Sequence, residues 1–216
     1  MRGAQGGAKN GRFITLEGGE GAGKSTQILR LRTFLEERGR KVLTTREPGG
    51  APGAEMVRKL LVEGPAERWD GITEALLHFA ARREHLRSTV WPALERGDWV
   101  VSDRFADSTV AYQGYGHGID RKLLAELYAI AVGDFRPDLT LILDLPIEVG
   151  LSRAAARRGN ETRYESLPRD FHERVHRGFH EIAIANPGRC VTIDASGSID
   201  QTAAAIAAAA VERLGA

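Results

Sequence analysis

Phe13-Ile14-Thr15-Leu16-Glu17 runs directly into Gly18-Gly19-Glu20-Gly21-Ala22-Gly23-Lys24-Ser25, with a helix expected from about Thr26. The first five residues are a short apolar run of strand type. Gly18, four residues, and then Gly23-Lys24-Ser25 is the spacing of a phosphate-cradling loop set between a strand and a helix. Glycines let the backbone fold with its N–H groups inward, and the helix N-terminus adds partial positive charge. Residues 18–26 are therefore expected to hold the phosphates of a nucleoside triphosphate. Lys24 can reach the outer phosphates, and the Ser25 hydroxyl is placed to ligate Mg2+. An accidental Lys-Ser pair on a Gly-rich turn is the alternative, and the strand before it and the helix after it argue against that.

Outward from this loop, apolar runs bounded by turn residues recur at 12–17, 41–45, 99–102, 139–144 and 189–194. Between them lie stretches with helical spacing, such as Ile28, Leu31 and Leu35, and later Leu123, Leu124, Leu127 and Ile130. Strand and helix alternate, and near-continuous apolar strands such as Leu139-Thr140-Leu141-Ile142-Leu143 suit a parallel sheet covered on both faces. The expected fold is a doubly wound α/β domain of about five parallel strands spanning residues 11–216, with residues 1–10 a flexible lead-in. The Ala-rich stretch 201–214 has high helix propensity and is expected to close one face.

Composition narrows the classes of function. The 216 residues are 42% hydrophobic and 27% charged, as in an ordinary globular protein. Thirty Lys and Arg against 29 Asp and Glu leave a net charge of +1, so no global field draws the chain to nucleic acid or a membrane. No apolar run is long enough to span a bilayer. The single cysteine, Cys190, excludes an intrachain disulfide and fits a reducing cytoplasm.

Other strand ends carry further motifs. Thr45-Arg46-Glu47-Pro48-Gly49-Gly50 follows the second strand; Asp103-Arg104-Phe105 and then Asp107-Ser108-Thr109-Val110-Ala111-Tyr112-Gln113 follow the third. The carboxyl ends of strands in an open α/β sheet converge on one crevice, so these segments should face the phosphate loop. Together with Gly133-Asp134-Phe135-Arg136-Pro137-Asp138-Leu139-Thr140 they make the chain resemble the thymidylate kinases, from about Gly11 onward.

That resemblance implies a three-layer P-loop fold with a small mobile lid, homodimer formation, and transfer of the ATP γ-phosphate to dTMP with Mg2+ as cofactor. It implies that Glu47 orients the acceptor's phosphate region, and that Arg58 and Arg104 grip the acceptor's phosphate. Asp103 becomes an outer partner of the Mg2+ held by Ser25; a buried salt bridge with an arginine is the alternative. Gln113, with Ser108 or Thr109, is expected at the base edge, Tyr112 beside the sugar, and Glu20 at the acceptor sugar. The family's stacking phenylalanine lies four residues before an arginine that contacts the base. Counted back from Arg82 that position is His78, with Phe79 one residue late, so either His78 stacks or the helix rotates to present Phe79; Phe79 paired with Arg82 is the expected arrangement, with plain core packing the alternative for Phe79.

Some members of the family carry a catalytic arginine in the phosphate loop, at the position filled here by Gly21. The charge is then expected from the arginine-rich lid at about 153–165, with Arg157 and Arg163 first and Arg153 third. A kinase for another base, or an ATP-dependent switch with no acceptor, are the competing readings. Arg58, Arg104 and Gln113 would have no role in the switch.

Overall fold

The computed structural model describes residues 11–65, 68–156 and 163–216. The expected lead-in, 1–10, lies outside them, and so does 157–162 of the expected lid, which contains Arg157.

Five parallel strands form one sheet in the order β2-β3-β1-β4-β5. They are β1 (Phe13–Gly18), β2 (Val42–Arg46), β3 (Trp99–Asp103), β4 (Leu139–Asp144) and β5 (Cys190–Asp194). β1 is buried along its whole length, and its side chains alternate between two packed faces. This is why it reads as a continuous apolar run rather than an alternating one.

On one face Ile14, Leu16, Leu139, Leu141 and Leu143 meet α1 (Lys24–Glu36) through Ile28, Leu31 and Leu35. The same layer includes α9 (Ile199–Leu214), whose Ile206, Ala209 and Ala210 pack there. Its small residues allow close approach. A capping box between Ser198 and Gln201 starts α9, and Gly215 in the left-handed region ends it.

The remaining helices are α2 (Pro52–Val62), α3 (Gly71–His85), α4 (Trp91–Glu95), α5 (Ala106–Thr109), α6 (Arg121–Ala131), α7 (Ile147–Ala155) and α8 (Arg169–Ala185). On the second face Phe13 and Val100 meet Phe105, Leu86 and Val90, while Ile142 and Cys190 meet Phe171, Val175 and Phe179 of α8. α5 continues into a π-helical stretch, Val110–Gly116, which carries Tyr112 and Gln113. Such wide turns concentrate at functional sites.

The registers Leu16↔Asp103 and Arg46↔Asp103 bring the carboxyl ends of β1, β2 and β3 level with one another. The expected crevice is there.

Candidate active site

The phosphate loop leaves β1 at Gly18 and enters α1 at Gly23, and Gly18, Gly21 and Gly23 all have positive φ. The Lys24 Nζ donates to the carbonyls of Gly18 and Gly19 at 3.2 and 2.9 Å. Burial, with Arg104 adding to it, pushes the Lys24 ammonium down to about 8. A charge that is costly to hold in place is stabilised when anionic phosphates arrive.

Gly21 explains itself sterically. A Cβ there would come within 2.0 Å of the Gly150 carbonyl oxygen in α7, and a Cβ on Gly150 would meet the Glu20 carbonyl at 2.4 Å. Loop and helix touch backbone to backbone, and with φ at 67° no L side chain fits without a shift.

Arg104 is the hub of a hydrogen-bond network beside the phosphate loop. It is the non-glycine residue with positive φ among the described residues, at 67°. Such a conformation costs roughly 1–3 kcal/mol and persists only where the surroundings hold it. Here the guanidinium donates to the Gly18 carbonyl, the Ser108 hydroxyl, the Glu20 carboxylate and the Tyr112 hydroxyl, at 2.9 to 3.1 Å. Tyr112 in turn donates to Glu20 at 2.7 Å. Burial alone would raise the Glu20 carboxyl, but Arg104 and then Lys24 hold it below the usual range, so it is ionised. Beneath this hub Glu17 is fully buried; it accepts from the Phe105 N–H at 2.7 Å and from Ser108.

Ser25 donates from its hydroxyl to Asp103 Oδ2 at 3.1 Å. Two hard oxygen donors beside a phosphate loop suit Mg2+, which keeps several waters and binds through few protein groups. No arginine salt bridge to Asp103 is formed among the described residues, so its carboxylate faces Ser25.

Glu47 is buried and accepts from Arg82 Nε at 2.7 Å and bonds His85 Nδ1 at 2.9 Å. Burial opposes its charge, and Arg82 followed by His85 outweighs that, lowering its pKa. Arg82 also donates to Thr109 Oγ1 and the Phe105 carbonyl. Arg58 donates to the Pro48 carbonyl at 2.6 Å from the cavity wall.

All these side chains except the fully buried Glu17 and His85 line one cavity of about 600 Å3, whose wall also includes Thr26, His78, Gln113, Arg153 and Tyr164. Two expectations need correction. Phe79 is not on that wall: it is packed with Ala75 and Leu124 and stands edge-on to Tyr128 of α6. A helix turns about 100° per residue, so His78 and Arg82, four residues apart, face the cavity while Ala75 and Phe79 face α6. Burial pushes the His78 imidazole down to about 4, so the ring facing the cavity is neutral at pH 7.

Arg163 is likewise not at the phosphates. It is buried against Glu74 and donates to the Leu61 carbonyl in the last turn of α2 and to the Pro65 carbonyl beyond it. Carbonyls left over at a helix C-terminus attract a cation, and Glu74 supplies the countercharge. Arg153, on the last turn of α7, does line the cavity.

Glu74 escaped notice in the sequence. It accepts from Gln113 Nε2 at 2.6 Å, with His117 at 3.4 Å; against the effect of burial, His117 and then Arg163 pull its carboxyl down to about 2. The available signal was its spacing, four residues before His78 and eight before Arg82 on one helix face. Tyr164, whose hydroxyl bonds His78 Nε2 at 3.0 Å, gave no comparable signal.

The family model for thymidylate kinase matches residues 16–206. The chain belongs to the thymidylate kinase family. It is 55% identical over 205 residues to the thymidylate kinase of Caulobacter vibrioides, covering 95% of this chain and 98% of that protein. Against the thymidylate kinase of Rhodopseudomonas palustris it is 52% identical over 196 residues, covering 89% and 85%. The crystal structure of thymidylate kinase from Ehrlichia chaffeensis superposes with a TM-score of 0.75 at 35% identity, covering 91% of this chain and 97% of that one. Family membership makes the chain a kinase of P-loop fold, and the reaction is phosphorylation of dTMP. No helix among the described residues is long and apolar enough to cross a membrane.

Proposed function

We propose that the γ-phosphate passes from ATP to dTMP within this cavity by in-line displacement, with the acceptor held base-inward against α3. A dTMP phosphate oxygen bonds to the γ-phosphorus as the bond to the ADP leaving oxygen breaks. The attacking oxygen is already anionic, so no residue need remove a proton, and positioning and charge carry the catalysis. Lys24 and the loop N–H groups hold the ATP phosphates; Arg58 and Arg104 hold the acceptor phosphate, and Glu20 with Tyr112 the sugar. Ser25, with Asp103 behind it, would hold Mg2+, which would supply charge neutralisation to the phosphates. Arg153 and Arg157 are the lid arginines assigned to the γ-phosphate.

The observation that carries the base assignment is a pair of unpartnered atoms. Arg82 Nη1 and Gln113 Oε1 are buried without hydrogen-bond partners, and both residues line the cavity. Because the Glu74 carboxylate can only accept, Gln113 must turn its nitrogen to Glu74 and its oxygen to the cavity. The cavity thus offers one donor and one acceptor, matching the O4 acceptor and N3–H donor of thymine. Cytosine would set an amino donor against Arg82. The test is a ranking of dTMP, dUMP, dCMP and dGMP by kcat/KM with MgATP; dCMP or dGMP ahead of dTMP would overturn the assignment.

We also infer a cytoplasmic homodimer. Met56 of α2, Leu76 of α3 and Ile130 of α6 are exposed apolar side chains on helices packed side by side. Light scattering at a single-chain mass would refute the pairing.

A further inference from the structure

α8 presents His176 and His180, one turn apart, to the last residue of β4, Asp144. The three side chains bring one atom each to a common point. His176 Nε2 lies 2.8 Å and His180 Nε2 3.2 Å from Asp144 Oδ1, and the two nitrogens are 3.4 Å apart. We propose that Asp144, His176 and His180 bind a single divalent transition-metal ion of the zinc class, at a site separate from the nucleotide's Mg2+.

The triangle has the dimensions a metal requires. The circle through its three corners has a radius of about 1.8 Å, slightly shorter than zinc's usual bonds of about 2.0–2.1 Å to nitrogen and oxygen. An ion can therefore sit roughly 1 Å out of the plane at normal distance from all three. A carboxylate accepting hydrogen bonds from the two imidazoles is the competing account. It leaves the convergence of both rings on a single oxygen without a purpose, since the second carboxylate oxygen could take one of them.

The surroundings add an independent observation. A small hollow lined by Gly18, Gly19 and Ala22 on one side and by all three residues on the other also includes His172, one helical turn before His176. His172 is nine-tenths buried, and its Nε2 has no hydrogen-bond partner. The hollow is thus lined by imidazole beyond what packing needs.

The donor set decides the class of ion. Two imidazoles and one carboxylate suit zinc, nickel or copper, whereas Mg2+ and Ca2+ prefer all-oxygen sites. The three side chains are each about one-third to two-fifths exposed, which admits the ion and leaves a fourth position for water. Bound there, the ion would tie α8 to the strand that pairs with β1 at the phosphate loop, through Gly18↔Leu143.

The test is titration of tag-free protein with Zn2+ in excess Mg2+, followed by calorimetry and thermal unfolding, with Co2+ as a spectroscopic probe. The expected result is one ion per chain, a raised Tm, and the visible bands of tetrahedral Co2+. His176→Gln and His180→Gln should each weaken binding at least tenfold while keeping zinc-free kinase activity and zinc-free Tm. Absence of a stoichiometric ion or of the Co2+ bands on the unaltered protein overturns the proposal. So does binding that persists unchanged in both variants.

Discussion

Gln113 donates from its amide nitrogen to the Glu74 carboxylate at 2.6 Å, and this single contact decides which atom of Gln113 meets the cavity. Glu74→Gln removes that constraint, because the new amide can donate as well as accept. The variant should lose about tenfold in the ratio of kcat/KM for dTMP over dCMP, the size of one hydrogen bond to a buried group. KM for dTMP should rise while kcat changes little. Steady-state kinetics with both nucleotides checks this.

The two arginines first expected in the lid should behave differently. Arg163→Ala leaves the Glu74 carboxylate buried without its cation, at a cost of about 3–5 kcal/mol and a fall in Tm of about 10 °C. Arg157→Ala should leave Tm unchanged and lower kcat by about 10³-fold if it meets the transferring phosphate. Melting curves and kcat on the pair distinguish the roles, and a kcat loss confined to Arg163→Ala would reverse them.

Lys24→Ala should lower kcat/KM for MgATP by at least about 10³-fold with the circular dichroism unchanged. The native enzyme should also show the titration of Lys24. In the free enzyme its ammonium loses its proton at about 8, so kcat/KM for MgATP falls about tenfold per pH unit above that value. Bound phosphates restore the charge, and kcat at saturating nucleotide should stay flat through the same range.

Glu17 links pH to stability. Burial, and then the neighbouring Asp107, pushes its carboxyl up to about 7 despite the bonds from Ser108 and Phe105. The folded state therefore holds a proton that the unfolded chain releases near 4.5. This contribution is fully present below about 4.5 and is lost as pH rises through about 7. Glu17→Gln removes the titration, so its Tm relative to the native enzyme should improve by several degrees between pH 5 and pH 8. A difference independent of pH would refute this.

Much of the fold was legible because burial on both faces leaves parallel strands as unbroken apolar runs, and the loop announces itself through backbone demands that only glycine meets. The placement of Phe79 was not legible. Helical phase relative to a cavity is set by what the opposite stripe packs on, and Ala75 and Phe79 found α6. Arg163 misled for a related reason: an arginine near a phosphate site suggests phosphate, while its actual partners, Glu74 and the Leu61 and Pro65 carbonyls, lie far earlier in the chain. Glu47 lies on the cavity wall, but its pairing with Arg82 and His85 emerges only when the segment after β2 meets α3.

Substituting Gly21 tests the tightest contact in the site. Gly21→Ala forces a Cβ onto the Gly150 carbonyl at a backbone angle that L residues avoid. It should lower Tm by several degrees and kcat/KM for MgATP by at least about a hundredfold through displaced loop N–H groups. Gly21→Arg should be no better, despite placing a guanidinium where some relatives have one.

The apposition of Gly21 and Gly150 has a historical consequence as well. A lineage built on this backbone cannot gain a loop arginine by one substitution alone, because the Cβ of the new residue clashes with the Gly150 carbonyl. The helix bearing Gly150 would have to retreat first, a change that by itself brings no charge to the loop. The two ways of furnishing that charge are thus separated by a valley in sequence space, and descendants of this chain are confined to one side of it.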